Sequence, residues 1–149
     1  MKGQVSTELL IIVALVLLIF IPLLVLVYLE ANNANQQIAS YEAEFSVSRI
    51  ASLANSVGSL GTNTTVITDV FIPPNTIELR TSEAGRASEL SLTLDTPQGP
   101  STSIVEIIKY PVKNPDKLAD SSNAGGWMRV RISSEYKEGI AYVKIERVA

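Results

Sequence analysis

The sequence predicts an α+β protein, with a long N-terminal helix packed on a C-terminal antiparallel β-sheet or small β-sandwich head. Three observations predict it. Leu9 to Leu29 is a run of 21 residues without a charged side chain. Apolar residues then recur at spacings of three and four, with no strong breaker before Gly58. Beyond Gly61 the spacing turns alternating, and clusters of Gly, Pro and Asn cut the chain into short β-branched and aromatic segments.

At about 1.5 Å per residue the apolar run reaches roughly 31 Å as a helix, close to the roughly 30 Å of a bilayer's hydrocarbon. Lys2 is the only basic residue before it. By the positive-inside tendency this puts the N-terminus in the cytoplasm and everything after Leu29 outside. Pro22 removes a backbone donor from the middle of the run, so the Leu18 carbonyl loses its usual partner and a kink is expected. A functional reading of Pro22 is a flex point used when the helix leaves the bilayer and packs against its copies. Tyr28 falls where aromatic residues sit at a membrane interface. A polar collar follows, with Glu30, Asn32, Asn33, Asn35, Gln36 and Gln37. The helix is expected to continue from about Ser6 to Val57, carrying a stripe of Ile38, Tyr41 and Phe45, then Ile50, Leu53 and Val57, that the head covers.

Gly58 to Asn63 ends the helix. Strands are predicted at Val66–Ile72, Thr76–Arg80, Glu89–Leu94, Ser103–Tyr110, Trp127–Ile132 and Ile140–Val148. Turns separate them at Pro73-Pro74-Asn75, Ala84-Gly85-Arg86, Thr96 to Pro100 and Glu138-Gly139, with a long loop from Asn114 to Gly126. Six strands with no intervening helix favour an antiparallel arrangement, one face of which meets the helix. No internal repeat is evident.

Composition narrows the chemistry. The 149 residues suit one domain plus a membrane segment, and the mean hydropathy of +0.24 is raised by the N-terminal run. From Gly61 onward ten basic residues face eleven acidic ones, interspersed, so no basic stripe points to nucleic acid. Cysteine and histidine are both absent. That excludes disulfides, Ser-His-Asp and Cys-His nucleophile systems and the usual His/Cys zinc sites. With no P-loop and no GxGxxG either, no catalytic function and no cofactor are expected.

The front end is the most specific part of the chain. A secretory signal has an apolar run of about 7–15 residues followed by a small-x-small cleavage site. Here the run is longer and its flank, Val27-Tyr28-Leu29-Glu30-Ala31, offers no such site. The distinctive residues precede the run: Lys2-Gly3-Gln4-Val5-Ser6-Thr7-Glu8. This segment resembles the class III signal peptide of archaeal type IV pilin precursors, marked by Gln-x-Ser-x-Glu and, after three residues, an aliphatic position. Gln4, Ser6 and Glu8 match, with Ile12 where Leu is usual. The resemblance covers roughly the first 30 residues. Without it, Ser6 as an N-cap and Glu8 in a first turn would simply start a membrane helix.

The resemblance implies processing between Gly3 and Gln4, so that residues 1–3 are removed. It implies that residues 4–29 form a membrane anchor and later a filament core, that 30–60 continue the helix, and that 61–149 form the head. Implied partners are a prepilin peptidase, a membrane assembly platform with its ATPase, and further copies in a helical filament at the cell surface. Glu8 and Pro22 become assembly residues. Glu8 of one copy would meet the new amine of its neighbour unless Gln4 cyclises to pyroglutamate. An uncleaved bitopic surface-binding module is the alternative. So is an archaellin subunit, which generally lacks a Glu at the position of Glu8.

In the head, Asn63-Thr64-Thr65 is an N-glycosylation acceptor sequence. The stretch Asp116 to Asn123 holds several hard oxygen donors. It matches no calcium-loop pattern and contains Lys117, so a solvated loop and no metal site is the expectation. Trp127 heads an alternating strand, where packing in the core or on a sheet face is expected over ligand recognition.

Overall fold

The computed structural model describes residues 2–96, 99, 101–113, 117–137 and 139–148, with side chains from Thr7 onward. One helix, α1 (Lys2–Leu60), precedes seven strands: β1 (Thr65–Ile72), β2 (Thr76–Ala84), β3 (Ala87–Leu94), β4 (Thr102–Ile108), β5 (Lys117–Asp120), β6 (Gly126–Lys137) and β7 (Ile140–Val148). The chain divides into two compact units, Met1–Gln37 and Ile38–Ala149.

The first unit is helix alone. The helix starts at Lys2, so Ser6 and Glu8 lie inside it and are not the cap and first turn of the simpler reading. It also passes through Pro22 as one element.

The second unit combines residues Ile38 to Leu60 of α1 with two antiparallel sheets, of strand order β1-β6-β7 and β4-β3-β2-β5. Alternation within every strand but β5 sends one set of side chains inward. Val70, Ile72, Met128, Val130, Ile132, Val143 and Ile145 come from the first sheet. Leu79, Leu90, Leu92, Leu94, Ile108 and Leu118 come from the second. They share one core with the helix. The segment after β4 crosses between the sheets: Val112 makes a parallel bridge to Val143 of β7, while its N–H donates to Ser88 Oγ of β3 at 2.7 Å.

The second half of the predicted helix stripe faces this core, but the first half does not. Ile50 and Val57 are buried as predicted and Leu53 is partly buried. However, Ile38, Tyr41 and Phe45 are 53%, 68% and 66% exposed. Their place is taken by Ala43, Ser46, Val47, Ala51, Ala54 and Gly58, all buried. At about 100° per residue the two sets lie on opposite sides of the helix. Small side chains let the helix axis approach the sheets closely, which bulky aromatic residues would prevent. Gly58 marks the tightest approach: a Cβ there would lie 2.3 Å from Cδ2 and 2.7 Å from Cγ of Tyr110.

Further boundaries differ. The helix runs three residues past Val57 and stops before Gly61, whose φ of 93° only glycine adopts readily. The predicted loop from Asn114 to Gly126 contains a strand, β5, because both Leu118 and Ala119 are buried beside β2. Four residues with two consecutive buried positions give no alternating signal. The other six strands overlie the predicted ones, although β6 runs five residues past Ile132 to Lys137, β4 stops at Ile108 short of Tyr110, and β2 and β3 extend to a two-residue connection at Gly85-Arg86.

Candidate functional site

Three features decide what the chain offers a partner. The first is the apolar helix of the N-terminal unit. Every large apolar side chain from Leu9 to Leu29 is 45–73% exposed, on all sides of the helix. It is the one helix among the described residues long and apolar enough to cross a membrane. Glu8 is exposed at its start and Pro22 within it, while Gly3 and Gln4 lie in its first turn. So large an apolar surface is poorly solvated by water and marks a membrane or protein contact.

The second is the seam where α1 meets the sheets. β1 and β4 are both edge strands, with backbone groups that would otherwise invite pairing with another chain. The helix blunts both. Ser46 Oγ donates to the Phe71 carbonyl of β1 at 2.6 Å. Asn55 spans the edge of β4, with Nδ2 donating to the Ile107 carbonyl at 3.4 Å and Oδ1 accepting from the Lys109 N–H at 2.8 Å. One amide side chain thus supplies the donor and acceptor that a neighbouring strand would. Neither contact was legible beforehand, since nothing in a lone sequence distinguishes Ser46 or Asn55 from the other small polar residues of the helix.

The third is an aromatic cleft of about 390 Å³ between α1 and the end of β1, lined by Glu42, Phe45, Arg49, Phe71 and Trp127. Trp127 sits opposite Phe71 in the β1–β6 ladder, on the outward face. The rings meet edge to face, with centroids 5.7 Å apart and planes at 71°. The tryptophan is 73% exposed. Of the two expected places, core or sheet face, it takes the sheet face and remains largely uncovered.

Ion pairs decorate the same outer surface. Two positions along the ladder from Phe71 and Trp127, Arg129 grips Asp69 with Nε–Oδ1 of 2.9 Å and Nη2–Oδ2 of 3.4 Å. This bond, aided by the charge of Arg49, holds the Asp69 carboxyl below its ordinary pKa. Lys113 donates to Glu135 and lowers its pKa in the same way.

Of the remaining predicted positions, Asn63 is exposed in the turn between α1 and β1, with a φ of 64° that asparagine tolerates better than most residues. Asp116 lies outside the described residues. Asp120 uses Oδ1 to accept from the N–H of Ser122 at 3.0 Å and its hydroxyl at 2.5 Å, which organises the turn leading to β6 and lowers the carboxyl pKa. The carboxylate thereby serves as the hinge pin of a tight turn.

The fold defines an α+β protein with one candidate membrane-spanning helix among the described residues. No protein-family model, curated protein or solved structure matches the chain.

Proposed function

We propose that this chain is the structural subunit of an archaeal type IV pilus-like surface filament, made as a precursor and trimmed between Gly3 and Gln4. The observation that carries the reading is the apolar helix of Leu9 to Leu29, exposed on every side, in a chain whose head already has a buried core of its own. Such a helix is satisfied by lipid before assembly and by copies of itself afterwards. The Gln4, Ser6 and Glu8 motif ahead of the run supports the filament use. A plain anchor requires apolar length alone and no such motif. Prepilin peptidase, the assembly platform with its ATPase and further copies of the chain are the proposed partners. The heads would form the outer surface of the filament.

The test is the mature N-terminus by mass spectrometry, combined with electron microscopy of the cell surface. A chain beginning at Gln4, found in filaments, is the expected result. A full-length chain starting at Met1 or Lys2 and confined to the membrane would identify the uncleaved anchored module instead. The archaellin alternative separates by the same images, since it would place the chain in the rotary filament.

A further inference from the structure

Exposed tryptophan is costly to leave uncovered, and Trp127 is held that way by its surroundings. Phe71 braces the indole edge to face, and the Phe71 carbonyl is tied to Ser46 on the helix, so the floor of the cleft is built in advance. Phe45, 66% exposed, also lines the cleft. Three aromatic rings around about 390 Å³ make a space the size of a small organic ring system.

The polar groups decide the class of occupant. Glu42 and Arg49, two turns apart on α1, both line the cleft. An organic cation would gain from the rings and from Glu42 but would meet the Arg49 guanidinium. An anion would meet Glu42. A purely apolar ligand would desolvate both charges with nothing in return. A neutral ring with one C–H face and a rim of hydroxyls satisfies all of them: the face stacks on an aromatic ring, while hydroxyls donate to the carboxylate and accept from the guanidinium. We propose that the cleft bounded by Phe45, Phe71 and Trp127 binds a neutral pyranose ring of a carbohydrate. The proposal is independent of the filament reading, because it rests on the unit Ile38–Ala149 alone.

Trp127 is the only tryptophan in the chain, so its fluorescence reports on this cleft directly. The full chain would be held in a polyoxyethylene detergent, since glycoside detergents would themselves compete. Cellotriose, mannotriose, galactotriose and chitotriose would be titrated separately, with choline and glucuronate as smaller charged probes. The expected result is a saturable change in Trp127 emission with at least one neutral trisaccharide and none with either charged probe. Phe45→Ala should weaken that binding about tenfold, in keeping with the worth of one aromatic contact. Arg49→Ala should weaken it as well while leaving the thermal melt near that of the parent, because the side chain is exposed. Flat titrations with all four trisaccharides would overturn the proposal. So would saturation by choline or glucuronate with the sugars inert, or binding unchanged in both variants.

Discussion

Removing the helical wall of the head should unfold it. In the unit Ile38–Ala149, the helix contributes Val47, Ile50 and Val57, each 0–1% exposed, together with Ala43, Ala51 and Ala54. At about 1.5–3 kcal/mol for each large buried side chain, the first three alone stabilise the head by roughly 5–9 kcal/mol. A domain of this size carries only about 6–17 kcal/mol in total. Loss of the helix also exposes the edges of β1 and β4 that Ser46 and Asn55 cover. A fragment spanning Ile38–Ala149 should therefore be soluble and melt cooperatively. One beginning at Thr62 should be molten or aggregated by circular dichroism and size-exclusion chromatography. Ile50→Ala within the longer fragment provides a graded check. It should cost about 2–5 kcal/mol and lower Tm by roughly 10 °C or more. Equal Tm and equal cooperativity for the two fragments would refute the claim that the helix is part of the core.

Other outcomes follow from single contacts. Gly58→Ala should destabilise the head by about 1 kcal/mol, because crowding against Tyr110 outweighs the helix propensity gained, whereas Gly58→Val should cost more; denaturant midpoints measure both. Acid should weaken the head in a defined window. Asp69 and Glu135 have folded pKa values depressed by Arg129 and Lys113, so their contributions are complete above their unfolded values of 3.8 and 4.5 and are lost as pH falls through the lower folded values. Thermal melts should be flat from neutrality to about pH 5 and then decline, and Asp69→Asn should reduce the drop. Glu8→Gln should preserve membrane insertion and trimming but abolish filaments, because a carboxylate beside an apolar run seeks a cation where burial costs up to roughly 2.5–3.5 kcal/mol. Normal filaments of trimmed subunits carrying that substitution, seen by electron microscopy, would reject the charge-pairing role. Gly3→Val should leave the precursor untrimmed by mass spectrometry, since a branched side chain crowds the backbone that a peptidase must approach closely.

What the sequence determined by itself was whatever depends on local pattern. An uncharged run of 21 residues sets the length of the apolar helix, and alternation between turn residues locates six strands, because both signals are written in consecutive positions. The motif at Gln4, Ser6 and Glu8 is equally local. Spacing located Ile50, Leu53 and Val57 on the buried side of the helix, but only the tertiary structure decided which side is buried between Ile38 and Val47. Hydrophobicity favoured Ile38, Tyr41 and Phe45, but close packing against two sheets rewards small residues, and the face of Ala43, Ala51, Ala54 and Gly58 won. β5 was invisible for a related reason, since its four residues are held by pairing with β2 and not by their own periodicity. The aromatic cleft needed the fold most of all. Phe45, Phe71 and Trp127 are 26 and 56 residues apart along the chain, and antiparallel register, together with the docking of the helix, brings them together.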